Sequence, residues 1–267
     1  MGIKLSNLGN DGVTYRKNIY LIAKSFMYRL PKPWLHIDFV YNLLGYLKEL
    51  LDILEPVHNF TKSIIKKRKA EFLAMKVEQV SNDKVEDESE NIYMRSKKKR
   101  YAMMDTLLQA QSEGLIDDKG IMEETDTFTF EGHDTTSSGM TFTLLLLAHH
   151  PEVQEKLFEE IEEIIGEELT VDTYSKMPYM DRVLKESLRI YPPVPFISRT
   201  LTEDFENDGE LYKKGLNVEL FIYDIHRDPE YFPDPEKFDP DRFLPEECEK
   251  RHNFAYLAFS AGMVREF

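Results

Sequence analysis

The chain of 267 residues holds one cysteine, one tryptophan and no apolar run near the ~18 residues that a membrane span needs. A single cysteine excludes a disulfide framework and any zinc site built from several cysteines. It fits a reducing compartment. No signal-peptide pattern follows Met1, and the opening "MGIKLSNLGNDG" reads as the end of one element and a turn. Positive charge is also short: 34 Lys and Arg against 49 Asp and Glu leave a net charge of −15. That excludes the basic face a nucleic-acid partner requires. His133, His149 and His150 lack zinc-binding spacing, so no metal site built from histidines is expected. What remains is ordinary: 42% hydrophobic and 31% charged residues, enough for one large domain with a core.

Helical spacing runs over residues 13–30, through Ile19, Ile22, Phe26 and Leu30, and Pro31 ends it. A second long helix is predicted from about Tyr46 to Met75, with Pro56 as a kink or a divide. Residues 79–98 are polar and charged in blocks, and they read as a flexible linker inside a single domain covering 1–267. A short helix follows from about Lys99 to Ser112, then the longest apolar stretch, "TFTFEGHDTTSSGMTFTLLLLAHHP". Pro151 opens an amphipathic helix with Val153, Leu157, Ile161, Ile164 and Ile165 on one face, stopped by Gly166. Another helix carries "YMDRVLKESLRI" and ends before Pro192. Short strands follow up to Tyr223, with "NDGE" as a hairpin turn. Prolines then crowd residues 229–245, a packed coil anchored by Phe232, Phe238 and Phe243. The fold class is mainly α with a small β-sheet.

Within the apolar stretch, Glu131, Asp134, Thr135 and Ser138 lie three or four apart on one helical face. A buried, unpaired carboxylate is costly, so in a buried helix these groups should face a cavity, water or a cofactor. Gly132 removes a side chain where something large could approach. The Thr135 hydroxyl can bond back to the Glu131 carbonyl and bend the helix. An acid–alcohol pair of this kind can deliver protons to a bound ligand. The competing reading is a helix end, with Asp134 and Thr135 as caps.

"KESLR" sets Glu186 and Arg189 three apart on one helix, and "FDPDRF" adds Arg242 from the proline-rich coil. An arginine fork binds a carboxylate with two parallel bonds, so two forks on Glu186 would lock coil to helix. Cys248 sits among Glu246, Glu247 and Glu249, whose charges oppose a thiolate. It reads as an exposed thiol.

These stretches together resemble the cytochrome P-450 superfamily, the haem-thiolate monooxygenases. The family shows a small residue, glycine, any residue, an acid and threonine where this chain has Glu131, Gly132, His133, Asp134 and Thr135. It shows Glu-x-x-Arg and Pro-x-Arg-Phe segments where this chain has "ESLR" and "PDRF". Glutamate in the first slot resembles the fatty-acid omega-hydroxylases of the fourth family. The resemblance implies a partial cytochrome P-450 fold and haem (heme) as cofactor. Asp134 and Thr135 would manage proton delivery, and Glu131 would tether the haem by an ester. Glu186, Arg189 and Arg242 would form a structural brace. "PFISRTLTED" resembles the strand whose arginine pairs with a haem propionate, which points to Arg199; the bland reading is a surface arginine on an edge strand.

The resemblance further implies an NADPH-dependent reductase as electron donor and a fatty acid or similar apolar substrate. For the full-length family member it implies the cytosolic face of the endoplasmic reticulum membrane. "PWLHIDFVYNLL" resembles the lid over substrate entry, and Trp34, Phe39 and Tyr41 suit a membrane interface or simple lid packing. The chain departs from the pattern at both ends. It lacks the anchor and the early helices and strands. In "FAYLAFSAGMVREF", Phe259 and Gly262 fit the family's loop, but Val264 stands at the arginine position and Glu266 at the iron-ligating cysteine. A carboxylate is a poor substitute for a thiolate, whose electron donation favours O–O cleavage. The expectation is a family enzyme on an incomplete chain, inactive as it stands. The rivals are a non-catalytic remnant or interaction protein and, with less behind it, a helical lipid-binding module without haem.

Overall fold

The computed structural model describes residues 9–82, 102–164, 166 and 170–261. In chain order the elements are α1 (Gly9–Arg29), a short 3-10 turn (Pro33–His36), α2 (Asp38–Leu43), α3 (Tyr46–Asn82), α4 (Met103–Ser112), α5 (Asp118–His149) and α6 (Pro151–Glu162). Then come α7 (Val171–Tyr174), α8 (Pro178–Ile190), β1 (Ile197–Thr200), β2 (Phe205–Asn207), β3 (Glu210–Tyr212), β4 (Asn217–Leu220), α9 (Ile222–Ile225), a 3-10 turn (Pro240–Phe243) and α10 (Pro245–Cys248). The fold is mainly helical, as its patterning predicts. Two compact units divide the chain, Met1–Glu131 and Gly132–Phe267.

In the first unit, α1 and α3 pack through Tyr15, Ile19 and Val57. Ile64, Met104, Leu108 and Ile121 form a second cluster. Pro56 sits inside α3. The helix continues through Asn82, four residues into the stretch read as a linker, and 83–98 lie outside the described residues. Both carboxylate oxygens of the buried Asp105 accept from Arg68, each at 2.7 Å.

In the second unit, α6 opens with Pro151 at its first turn, where a missing N–H costs nothing. Its Val153 and Leu157 join Leu146, Tyr179, Val183, Ile190 and Phe238 in one core. Gly166 follows that helix at φ +96°, and Ile165 lies outside the described residues. The sheet is two antiparallel ribbons, β1 with β4 and β2 with β3. The β2–β3 turn is Asp208-Gly209, with φ 51° and 80°. Positive φ at both positions is what a two-residue primed turn demands. In the proline-rich coil, Phe232, Phe238 and Phe243 are all buried. The coil is therefore ordered by its aromatic anchors rather than by a hydrogen-bond ladder.

Candidate functional site

α5 carries Glu131, Gly132, Asp134 and Thr135 near its middle as one uninterrupted α-helix. The cap reading of Asp134 and Thr135 therefore fails, because helix continues on both sides. Hydroxyls bond back along the helix, among them Thr129 to the Thr125 carbonyl, Ser137 to Asp134, Thr141 to Ser137 and Thr143 to Gly139. The expectation of a buried helix is corrected. Glu131, Gly132, His133 and Asp134 are exposed and Thr135 is half-buried. Phe128, Met140 and Leu144 are exposed as well. Among the described residues the mid-section of α5 is therefore open on more than one side. A Cβ placed on Gly132 would meet nothing within 4 Å.

The C-terminal half of α5 is held differently. The buried Thr143 Oγ1 and Ser187 Oγ share a hydrogen bond of 2.7 Å between α5 and α8. Gly139 packs close to Leu188 and Pro193, where an added Cβ would lie at 3.6 and 3.7 Å. Small side chains and paired hydroxyls thus bring the two helices together.

On α8, Glu186 and Arg189 are both fully buried. Arg189 Nε donates to Glu186 Oε2 at 2.6 Å and Nη2 donates to Oε1 at 2.8 Å. The same guanidinium reaches the carbonyls of His226 at 2.9 Å and Lys237 at 3.2 Å. The Asp239 amide donates to Glu186 Oε1 at 2.9 Å. Burial pushes the Glu186 carboxyl up, while the Arg189 fork, the Asp239 amide and Arg242 pull it back. The pictured pair of forks is corrected to one. Arg242 Nε stands 3.5 Å from Glu186 Oε1, and its Nη2 is drawn instead to the Asp234 carbonyl at 2.8 Å. Arg242 thus keeps an ion pair with Glu186 Oε1, the oxygen to which the Asp239 amide also donates.

Arg199 lies on β1, opposite Val218 of β4, and is exposed. Its Nη1 donates to the Ser198 carbonyl at 2.8 Å and its Nη2 to Ser260 Oγ at 3.4 Å. That contact places Arg199 beside the segment ending in Phe259, which is 86% exposed. Ser260 adopts a positive φ of 60°. Gly262, Val264 and Glu266 lie outside the described residues.

His226 is fully buried, and its Nε2 accepts from the Leu257 amide at 2.8 Å. Burial lowers its pKa to about 4; the backbone of Arg189 and Leu188 opposes the shift, and the Arg189 and Arg227 charges add to it. Cys248 is exposed in α10 and accepts from Arg251 Nη2 at 3.3 Å. No cluster of three or more potential metal-ligating side chains occurs among the described residues.

Sequence reading missed a cavity of about 240 Å³ in the first unit. Tyr15, Ile19, Ile22, Leu54, Val57 and Phe130 give it apolar walls. Its polar corner is Asp126, which accepts from the buried Thr61 hydroxyl and stands 3.8 Å from His58 Nε2. Burial and the Asp126 charge push the Tyr15 phenol up to about 12, against the Thr129 side chain. These groups come from three helices, so no local spacing announces them.

Of the three aromatics offered to a membrane, Trp34 and Phe39 are exposed, Phe39 to 75%. Tyr41 is corrected: it is only 5% exposed, stacked on Tyr46 and under the Arg29 guanidinium. Ile37, Leu43 and Leu44 join the exposed set. Among the described residues no helix is long and apolar enough to cross a membrane.

The Cytochrome P450 family profile matches residues 4–264. The chain is 40% identical over 264 residues to "Probable cytochrome P450 4ac1" of Drosophila melanogaster, covering 98% of this chain and 49% of that protein. It is 36% identical over 270 residues to "Cytochrome P450 4V2" of Mus musculus, again 98% against 49%. Among solved structures, "Retinoic acid bound cyanobacterial CYP120A1" superposes with a TM-score of 0.60 at 27% identity, covering 98% of this chain and 52% of that one. The chain spans about half the length of the curated relatives it matches. With a helical fold of this order, a matching profile over nearly every residue and relatives that share more than a third of its sequence, the chain belongs to the cytochrome P450 family.

Proposed function

We propose that this chain, read as one partial cytochrome P-450 domain over residues 1–267, serves haem-dependent monooxygenation. One atom of dioxygen would enter a C–H bond of a fatty acid or similar apolar chain. One observation carries the reading: Glu131, Gly132, Asp134 and Thr135 stand together on the open mid-section of α5. Asp134 and Thr135 are the acid and alcohol that would hold and pass a proton. Glu131 is the carboxylate that would tether the cofactor. Arg199 is the cation for a propionate, and Glu186, Arg189 and Arg242 brace the coil without taking part in chemistry.

Haem is the family's cofactor, and it supplies dioxygen activation when bound. The described residues fit it at the rim and not at the iron. Gly132 leaves room for a flat ring, and Arg199 is an exposed cation. No thiolate stands with them, since Cys248 belongs to α10 and lies among three glutamates. No iron-centred step is therefore assigned to these residues. Titration of the chain with haem is expected to give a saturable absorbance change at one haem per chain. Arg199→Ala is expected to weaken it about tenfold, the worth of one charge-assisted contact. A change that never saturates, or one indifferent to Arg199, contradicts the reading.

The apolar cavity at Tyr15, Ile22 and Phe130 supports an apolar substrate. An NADPH-dependent reductase as electron donor and an endoplasmic reticulum setting follow from the family reading. The exposed Trp34, Ile37, Phe39, Leu43 and Leu44 support contact with a bilayer surface. Trp34→Ser with Phe39→Ser is expected to cut sedimentation with anionic liposomes at least tenfold, at roughly 2 kcal/mol per large apolar side chain withdrawn from lipid. Unchanged sedimentation removes the membrane role. A second reading, a non-catalytic protein, is favoured by the sequence: Val264 and Glu266 stand where the resemblance to the family's loop leads one to expect arginine and cysteine.

A further inference from the structure

We propose that His226 is a positioning residue, whose imidazole sets the course of the segment 254–261 by accepting the Leu257 amide hydrogen. The contact is 2.8 Å long and the histidine is fully buried. Because Nε2 receives a backbone N–H, it carries no proton, and the ring is the neutral Nδ1–H tautomer. The acceptor is fixed from two sides. The His226 carbonyl accepts from Arg189 Nη1, which ties its backbone to the Glu186 fork. The ring stacks on Tyr256 at 5.0 Å between centroids. The Tyr256 hydroxyl donates in turn to the Lys185 carbonyl of α8 at 3.2 Å, and its ring meets Phe243 edge-on.

Leu257 precedes Phe259 by two residues and Ser260 by three. Ser260 is the residue that Arg199 touches. The imidazole thus links the α8 brace to the segment leading into the loop, beside the second tie that the Tyr256 hydroxyl makes to α8. The brace acts on the loop through His226, and Glu186 and Arg189 make no direct contact with residues 257–261 in any hydrogen bond of the described structure. The bearing of this latch on a cofactor rests on the reading above. Leu257 itself does not, so a failed haem titration leaves the following test intact.

Amide hydrogen exchange is measured on the full chain and on two variants. His226→Phe keeps an aromatic ring against Tyr256 but removes the acceptor. Leu257 exchange is expected to rise about tenfold, the loss of one hydrogen bond. His226→Gln sets an amide oxygen near the Nε2 position and is expected to restore protection to within about threefold of the unaltered chain. Amides of α8 should stay unchanged in both. A Leu257 rate unmoved by His226→Phe overturns the proposal, as does a Gln variant as fast as the Phe variant.

If His226→Phe unfolds globally, the α8 amides report it and the pH profile decides. The charged groups about the ring are Arg189 and Glu186 from α8 and Arg227 beside it, and burial pushes the Glu186 carboxyl up. Exchange at Leu257, corrected for its intrinsic rate, is expected to rise as pH falls towards about 4, where the ring gains a proton and ceases to accept. The same profile in His226→Gln should be flat. Identical profiles in the two proteins overturn the proposal.

Discussion

Glu186→Ala is expected to remove about 3–5 kcal/mol of stability, enough to leave little folded chain. The cost comes from what stays behind. Arg189 is 0% exposed, and its guanidinium would remain in the core with only the His226 and Lys237 carbonyls as partners. The charge that cancels it would be gone. The Asp239 amide would lose its acceptor at the same time, freeing the coil from α8. Thermal unfolding followed by circular dichroism should show a midpoint lowered by roughly 10 °C or more, given about 2–4 °C per kcal/mol at this chain length. Glu186→Gln retains acceptors for Arg189 and Asp239 but not the charge, and its midpoint should lie between the two. A Glu186→Ala midpoint within a few degrees of the unaltered chain would refute the brace as described. Normal haem incorporation by that variant would refute it equally.

The acidic side of stability follows from His226 by a separate route. Its pKa is about 4 folded and 6.5 unfolded. Between those values the unfolded chain binds more protons, so stability falls as pH drops from 6.5 towards 4. The contribution is fully present above 6.5. It is this same buried, neutral ring that accepts the Leu257 amide.

How far the sequence could be read depended on whether the information was local. α6 was legible because Pro151, the spacing of Val153 and Leu157, and Gly166 all lie within one short stretch. The β2–β3 hairpin was legible because Asp208-Gly209 is a turn that few other residue pairs can form. Three aromatics among the prolines marked the coil as packed, and Phe232, Phe238 and Phe243 are indeed buried. Burial of whole helix faces was not legible. The apolar flanks of Glu131 suggest a buried helix, yet whether that face is covered depends on other elements, and the described ones leave it open. Tyr41 was misplaced for a related reason. Nothing in its neighbours reveals that Arg29, twelve residues earlier, covers its ring. Arg242 pairs with Glu186 through one nitrogen rather than a fork, and the Asp239 amide on the same oxygen is a partner that no side-chain pattern can announce. The Thr61–Asp126–His58 corner and the Arg68–Asp105 pair join residues far apart in sequence, so only the fold brings them together.

The largest spectroscopic effect is expected at Glu266, which we propose stands where the family's loop would place its iron ligand. A thiolate pushes electron density onto the haem iron, and a carboxylate oxygen would be a weaker donor there, so the two ligands should differ in the spectrum of the carbon monoxide complex. Cys248 belongs to α10 and is exposed, with its sulfur accepting from Arg251. The decisive measurement is the carbon monoxide difference spectrum of the haem-supplemented chain beside its Glu266→Cys variant. The unaltered chain should take up haem without a thiolate-type band, and the variant should gain that band. A thiolate-type band in the unaltered chain, or a Glu266→Cys spectrum indistinguishable from it, would contradict the assignment of this loop and of the haem site built around it.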